Sequence, residues 1–217
     1  MTDLSPTYLP TDALGQLAET PSQTAGPYVH IGLIPHQAGF DIFANNLGGA
    51  MVGPDTQGER IRIEGRVFDG AGDLCREVLL EIWQADGAGH YQTPGDPRAG
   101  AAQGPAFRGW GRAGTDFETG LYTFETIRPG AAAGRHGAPM APYVSLWLVS
   151  RGINIGLSTR MYFPEEEDAN AADPVLRLIE PSRRPTLIAR REERDGMAVY
   201  VFDIRLQGAG ETVFFDI

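Results

Sequence analysis

The chain has 217 residues and a single cysteine, Cys75. One thiol excludes an internal disulfide and any metal site built on two cysteines, and it fits a reducing compartment such as the cytoplasm. Positive charge is also scarce. Eighteen basic residues against 28 acidic ones give a formal charge of -10, a balance that repels phosphate backbones and offers no basic stripe to nucleic acid or lipid headgroups. No run of about 18 apolar residues occurs, so no membrane-spanning helix is expected. The opening Met-Thr-Asp-Leu-Ser-Pro-Thr-Tyr lacks the basic stretch and apolar core of a secretory signal.

Hydrophobic residues make up 42% of the chain and charged residues 21%, the makeup of a globular protein long enough to bury one sizeable core. Residues 1–58 carry scattered Pro, Gly and Asn without sustained periodicity, which predicts an ordered N-terminal arm rather than a second domain. From residue 59 to 217 short apolar or alternating runs recur, at 60–68, 78–84, 121–127, 143–150, 154–163, 186–191, 197–206 and 211–215. They read as strands. Ile61, Ile63 and Val67 follow the period-two spacing of a half-buried pleat, whereas Val144 to Val149, with Trp147 among them, predicts a strand buried on both faces. Trp83 is expected to be buried as well. Asp69-Gly-Ala-Gly72, Asp86-Gly-Ala-Gly89 and Glu118-Thr-Gly120 are turn sequences that join antiparallel strands. One helix is predicted, at 173–179, with Asp173 as cap and Pro174 in the first turn. The fold class is therefore mainly β: an antiparallel β-sandwich with long loops, an N-terminal arm and little helix.

Several separated motifs, in order, carry a more specific signal. Glu19-Thr-Pro-Ser-Gln-Thr-Ala-Gly-Pro-Tyr28, Leu80-Glu-Ile-Trp-Gln-Ala-Asp86, Thr126-Ile-Arg-Pro-Gly130, Arg151-Gly-Ile-Asn154 and Thr159-Arg-Met-Tyr-Phe163 closely resemble the intradiol ring-cleavage dioxygenases, over about nine-tenths of the chain. More narrowly, the chain is similar to the alpha chains of hetero-oligomeric members. Members of the family hold a non-haem ferric ion with two tyrosinates and a His-x-His pair, a spacing that points both imidazoles to one face of a pleat. The resemblance puts these four ligand positions at Tyr91, Ala132, Tyr143 and Ser145. Only the first is retained. Ala132 has no donor atom and both imidazoles are gone, so the chain is expected to hold no metal, and the Fe(III) of the holoenzyme is expected on a partner beta chain.

What the resemblance leaves to this chain is the substrate side of a pocket shared with that partner, for a small aromatic acid and O2. Its candidates are Thr24, Gly26, Pro27 and Arg151. Gly26 frees space where a planar ring must approach backbone, Pro27 stiffens the turn, and the Thr24 hydroxyl can bond a polar substituent. The planar fork of Arg151 suits a carboxylate or catecholate. A tight turn and a surface ion pair are the plain structural readings of the same residues. Two alternatives stay open. One is a self-sufficient dioxygenase whose rearranged site uses Tyr91, Tyr143 and a histidine, His90 or His136; the other is a non-catalytic sandwich scaffold. Glu165-Glu-Glu-Asp168 reads as a solvated turn, and the pairs Arg183-Arg184 and Arg190-Arg191 as partners of acidic neighbours.

Overall fold

The computed structural model describes residues 23–26, 28–43, 46–92, 107–134 and 137–216. Among them nine strands form two sheets: β1 Arg60–Phe68, β2 Val78–Gln84, β3 Trp110–Gly114, β4 Leu121–Ile127, β5 Tyr143–Ser150, β6 Leu157–Tyr162, β7 Arg190–Arg194, β8 Met197–Val201 and β9 Ile204–Arg205. One sheet runs β4-β1-β8-β7 with β9 also on β1, and the other runs β3-β2-β5-β6. The expected β-sandwich is present, with its core between the two.

Strand alternation builds that core. Ile61, Ile63 and Val67 of β1 meet Leu80 and Ile82 of β2 and Val144, Leu146 and Leu148 of β5 in one buried cluster, and burying each such side chain is worth about 1.5–3 kcal/mol. Polar atoms trapped beside it are satisfied. The Gln84 Nε2 donates to the Ile127 carbonyl at 2.8 Å, and the Thr126 hydroxyl donates to Gln84 Oε1 at 2.9 Å, tying β2 of one sheet to β4 of the other. The predicted turns form, with Gly72, Gly89 and Gly120 all at positive φ, the region that favours glycine, but those at 69–72 and 118–120 pass from one sheet to the other, from β1 to β2 and from β3 to β4, instead of joining antiparallel neighbours.

The departures have local causes. The outer face of β5 is covered only in part: Tyr143 is buried in a second cluster, whereas Trp147 keeps 39% of its surface exposed and Trp83 of β2 keeps 43%, because among the described residues little of the chain lies over that part of the sheet. The β1–β8 and β1–β9 pairings are parallel, which a long crossover permits and a hairpin does not. β3 escaped the sequence reading because Trp-Gly-Arg-Ala-Gly has a weak strand signal. β6 is shorter than 154–163, residues 184–187 form a 3-10 turn before β7, and in 211–215 only Phe215 bridges, to Ser158. The helix predicted at 173–179 is displaced. A short helix, α2, spans Glu167–Ala172, where a solvated turn was expected, and only a 3-10 turn forms at Leu176–Leu178. Asp173 divides them: it sits before Pro174, which pushes it to extended backbone, φ -60 and ψ 124, and ends the helix. It still caps, its Oδ1 accepting from the Val175 and Leu176 N–H groups at 2.9 Å. In the arm, α1 Val29–Leu33 and a 3-10 turn at Pro35–Ala38 were not foreseen. No helix among the described residues is long and apolar enough to cross a membrane.

Candidate functional site

The four positions that the resemblance aligns with iron ligands, the relic positions below, gather around the first half of β5. Tyr143 opens that strand and Ser145 follows two residues on, so both point to the same side of the pleat. Tyr91 reaches in from the loop after β2, and its hydroxyl donates to that of Tyr143 at 2.6 Å. Ala132 is buried in the same cluster as Tyr143, Met140 and Tyr162, with Tyr91 packed against it. Gly89 is what lets the two loops meet: a Cβ there would lie 2.0 Å from the Ala131 carbonyl oxygen. Burial and then the bond to Tyr143 push the Tyr91 phenol well above its ordinary pKa, and burial does the same to Tyr162. Both are neutral phenols at neutral pH.

This donor set does not fit a ferric ion. Two phenolic oxygens bonded to one another, an alanine methyl and a serine hydroxyl fall short of the five or six ligands such an ion takes. The neighbouring His90 gives its backbone N–H to Asp86 Oδ1 at 2.9 Å and has a buried Nδ1 without a partner. It raises the count by one at most. His136 lies outside the described residues, and among those described no group of three or more His, Cys, Asp or Glu is placed to hold a metal.

A charge stands beside the relic instead. Arg160 of β6 is the cross-strand neighbour of Ser145. Its guanidinium lies 4.1 Å from the centre of the Tyr143 ring, and its Nη1 donates to the Tyr162 hydroxyl at 3.4 Å. That hydroxyl in turn donates to Asp173 at 3.3 Å. The sequence reading passed over Arg160, although it lies within the quoted run 159–163. Tyr162 is two residues on along the same strand, but the Tyr143 and Ser145 neighbours are set by strand register, which the sequence does not display.

The substrate-side candidates meet at the other end of β5. The Thr24 hydroxyl donates to the Ser150 carbonyl at 3.2 Å and accepts from the Gly152 N–H at 2.7 Å, so the arm is pinned to the residues that flank Arg151. Arg151 is exposed and pairs with Glu77 at 2.6 Å, which is the plain reading of that residue. A Cβ at Gly26 would meet nothing within 4 Å, so packing inside this chain does not demand glycine there. Pro27 lies outside the described residues. Tyr143 and Ser150 are the two ends of an eight-residue strand, seven steps of about 3.3 Å, so the two groups stand roughly 20 Å apart.

A family model described as Dioxygenase matches residues 43–208. The protocatechuate 3,4-dioxygenase alpha chain of Pseudomonas putida is 50% identical over 92% of this chain and 97% of its own length. The corresponding beta chain of Burkholderia cepacia is 38% identical over 71% of this chain and 67% of its own. Among solved structures, the dioxygenase domain of a dioxygenase and carbohydrate-binding protein fusion from Streptomyces sp. SirexAA-E superposes with a TM-score of 0.53 at 26% identity, covering 90% of this chain and all of that one.

Proposed function

The chain belongs to the intradiol ring-cleavage dioxygenase family, and from that premise we propose that it is the iron-free alpha subunit of a protocatechuate 3,4-dioxygenase. The holoenzyme inserts both atoms of O2 into the ring of 3,4-dihydroxybenzoate between its hydroxylated carbons, giving 3-carboxy-cis,cis-muconate in the beta-ketoadipate route of aromatic catabolism. Fe(III) belongs to the beta chain. This chain pairs with that partner, supplies the edge formed by Thr24, Gly26, Pro27 and Arg151, and has no activity alone. Residues 1–58 act as an arm against partner and pocket, and residues 59–217 as the sandwich that carries them.

The observation that carries this reading is the separation along β5. Thr24 and Arg151 share one end, the relic ligands the other, and about 20 Å lies between. A substrate held by Arg151 is therefore out of reach of the relic, so that edge serves a site on another chain. Arm residues support the same reading: Tyr28, Phe40, Ile42, Phe43 and Leu47 are exposed, an apolar concentration that suits a covered surface.

Purification of the full chain, alone and coexpressed with a beta chain that carries both tyrosines and the His-x-His pair, tests the proposal. The expected result is no stoichiometric iron and no tyrosinate-to-iron colour in the chain alone, with both present, and ring cleavage, in the pair. Iron and ring cleavage in the chain alone would overturn it.

A further inference from the structure

The outer face of the β3-β2-β5-β6 sheet carries a cavity of about 560 Å³, within the range of small-molecule sites. All three tryptophans of the chain, Trp83, Trp110 and Trp147, line it, together with Phe215. Ser145, one of the relic positions, also lines it, beside Arg160. The Trp147 ring is packed onto Gly156, where an added Cβ would lie 2.1 Å from the indole Nε1, so one wall is fixed by backbone.

The two charged residues that line this cavity, Glu81 and Arg160, are held differently. Glu81, its one acidic lining residue, is already neutralised: Arg112 holds its Oε1 at 2.6 and 2.8 Å, and the Trp110 indole donates to its Oε2. Arg160 is different. It is half-buried, it makes no ion pair with a carboxylate within 4.0 Å among the described residues, and its hydrogen bonds there use only Nη1, to the Tyr162 hydroxyl and, at 3.9 Å, the Met140 sulfur. Asp173 reaches Arg160 only through the Tyr162 hydroxyl, which leaves the guanidinium's remaining donors for a ligand carboxylate to accept from. Tryptophan faces favour a flat ring over an alkyl chain.

We propose that this cavity binds a planar aromatic carboxylate, with the anion on Arg160 and the ring against the tryptophans, and that it holds the ligand without turning it over. The site is built by this chain alone, so it stands or falls independently of the subunit reading. The full chain is titrated with benzoate by calorimetry and by intrinsic tryptophan fluorescence. Since every tryptophan borders the cavity, the fluorescence reports on this site. One equivalent is expected to bind, with a saturable fluorescence change, and Arg160→Met is expected to weaken benzoate at least tenfold while leaving the weak binding of neutral benzamide unmoved. Trp83→Ala, at a partly exposed position of β2, is expected to weaken both, with the variant's fold checked by its melting temperature. Absence of benzoate binding up to about 10 mM, at least tenfold above the Kd of a sub-millimolar ligand, would overturn the proposal, as would equal affinity in the wild type and both variants.

Discussion

At the scale of single residues, the same side chain can be an ordinary surface group in this chain and a specific one in an assembly. Arg151 pairs with Glu77 where both are well exposed, and such pairs contribute about 0–1 kcal/mol. Gly26 has open space where a Cβ would go. Neither Arg151→Ala nor Gly26→Ala should therefore shift the melting temperature of the isolated chain by more than about 2 °C. In the coexpressed pair, Arg151→Ala is expected to raise the KM for protocatechuate about tenfold, the loss of roughly one charge-assisted contact. Unchanged KM and kcat would remove Arg151 from the pocket. The sequence made Arg151 and Thr24 visible through motif resemblance, but Arg160 stayed invisible because the Tyr143 ring beneath its guanidinium is brought to it by β5–β6 register.

Among the elements, two dissimilar contacts stand out in the attachment of the arm. Thr24 ties it to the end of β5, and the buried His30 of α1 anchors it beside β2 with its ring edge-on to Phe117 at 5.5 Å. Burial holds the His30 pKa below its ordinary value, against smaller opposite effects from the Val78 backbone and Glu77. A histidine depressed in the folded state takes up its proton more readily once unfolded, so its contribution is whole above about pH 6.5 and is lost as pH falls through the folded value. The stability difference between wild type and His30→Leu should consequently shift in favour of the variant between about pH 7.5 and pH 5.5. A pH-independent difference in denaturant titrations would show that His30 does not titrate with unfolding. Asp173 shows the limit of reading elements from sequence: its capping role was legible, but Pro174 beside it replaced the expected helix with a 3-10 turn.

Over the whole molecule, apolar surface is distributed unevenly. The sandwich core is closed, while the arm and the tryptophan face remain open. A ligand or metal stabilises a fold only by binding it, and the relic site lacks the donors for iron. The melting temperature of the isolated chain should thus change by less than about 1 °C when ferric iron or a ferric chelator is added, whereas the iron-loaded pair should lose stability and activity on chelation. A clear iron-dependent rise in the isolated chain would revive the rearranged site built on Tyr91, Tyr143 and a histidine.

The sandwich, the bounds of β1, β2, β4 and β5, the positions of the glycine turns and the absence of an imidazole at positions 143 and 145 were legible in the sequence alone. These follow from side-chain period, backbone sterics and the presence or absence of a donor atom, all of which are local. Only the tertiary structure decided that Trp83 and Trp147 face outward, that Arg160 stands beside the relic, and that Thr24 and Arg151 share the opposite end of β5. Those facts depend on which face of a sheet is covered and on how distant strands are registered, and neither is encoded in the spacing of residues along one strand.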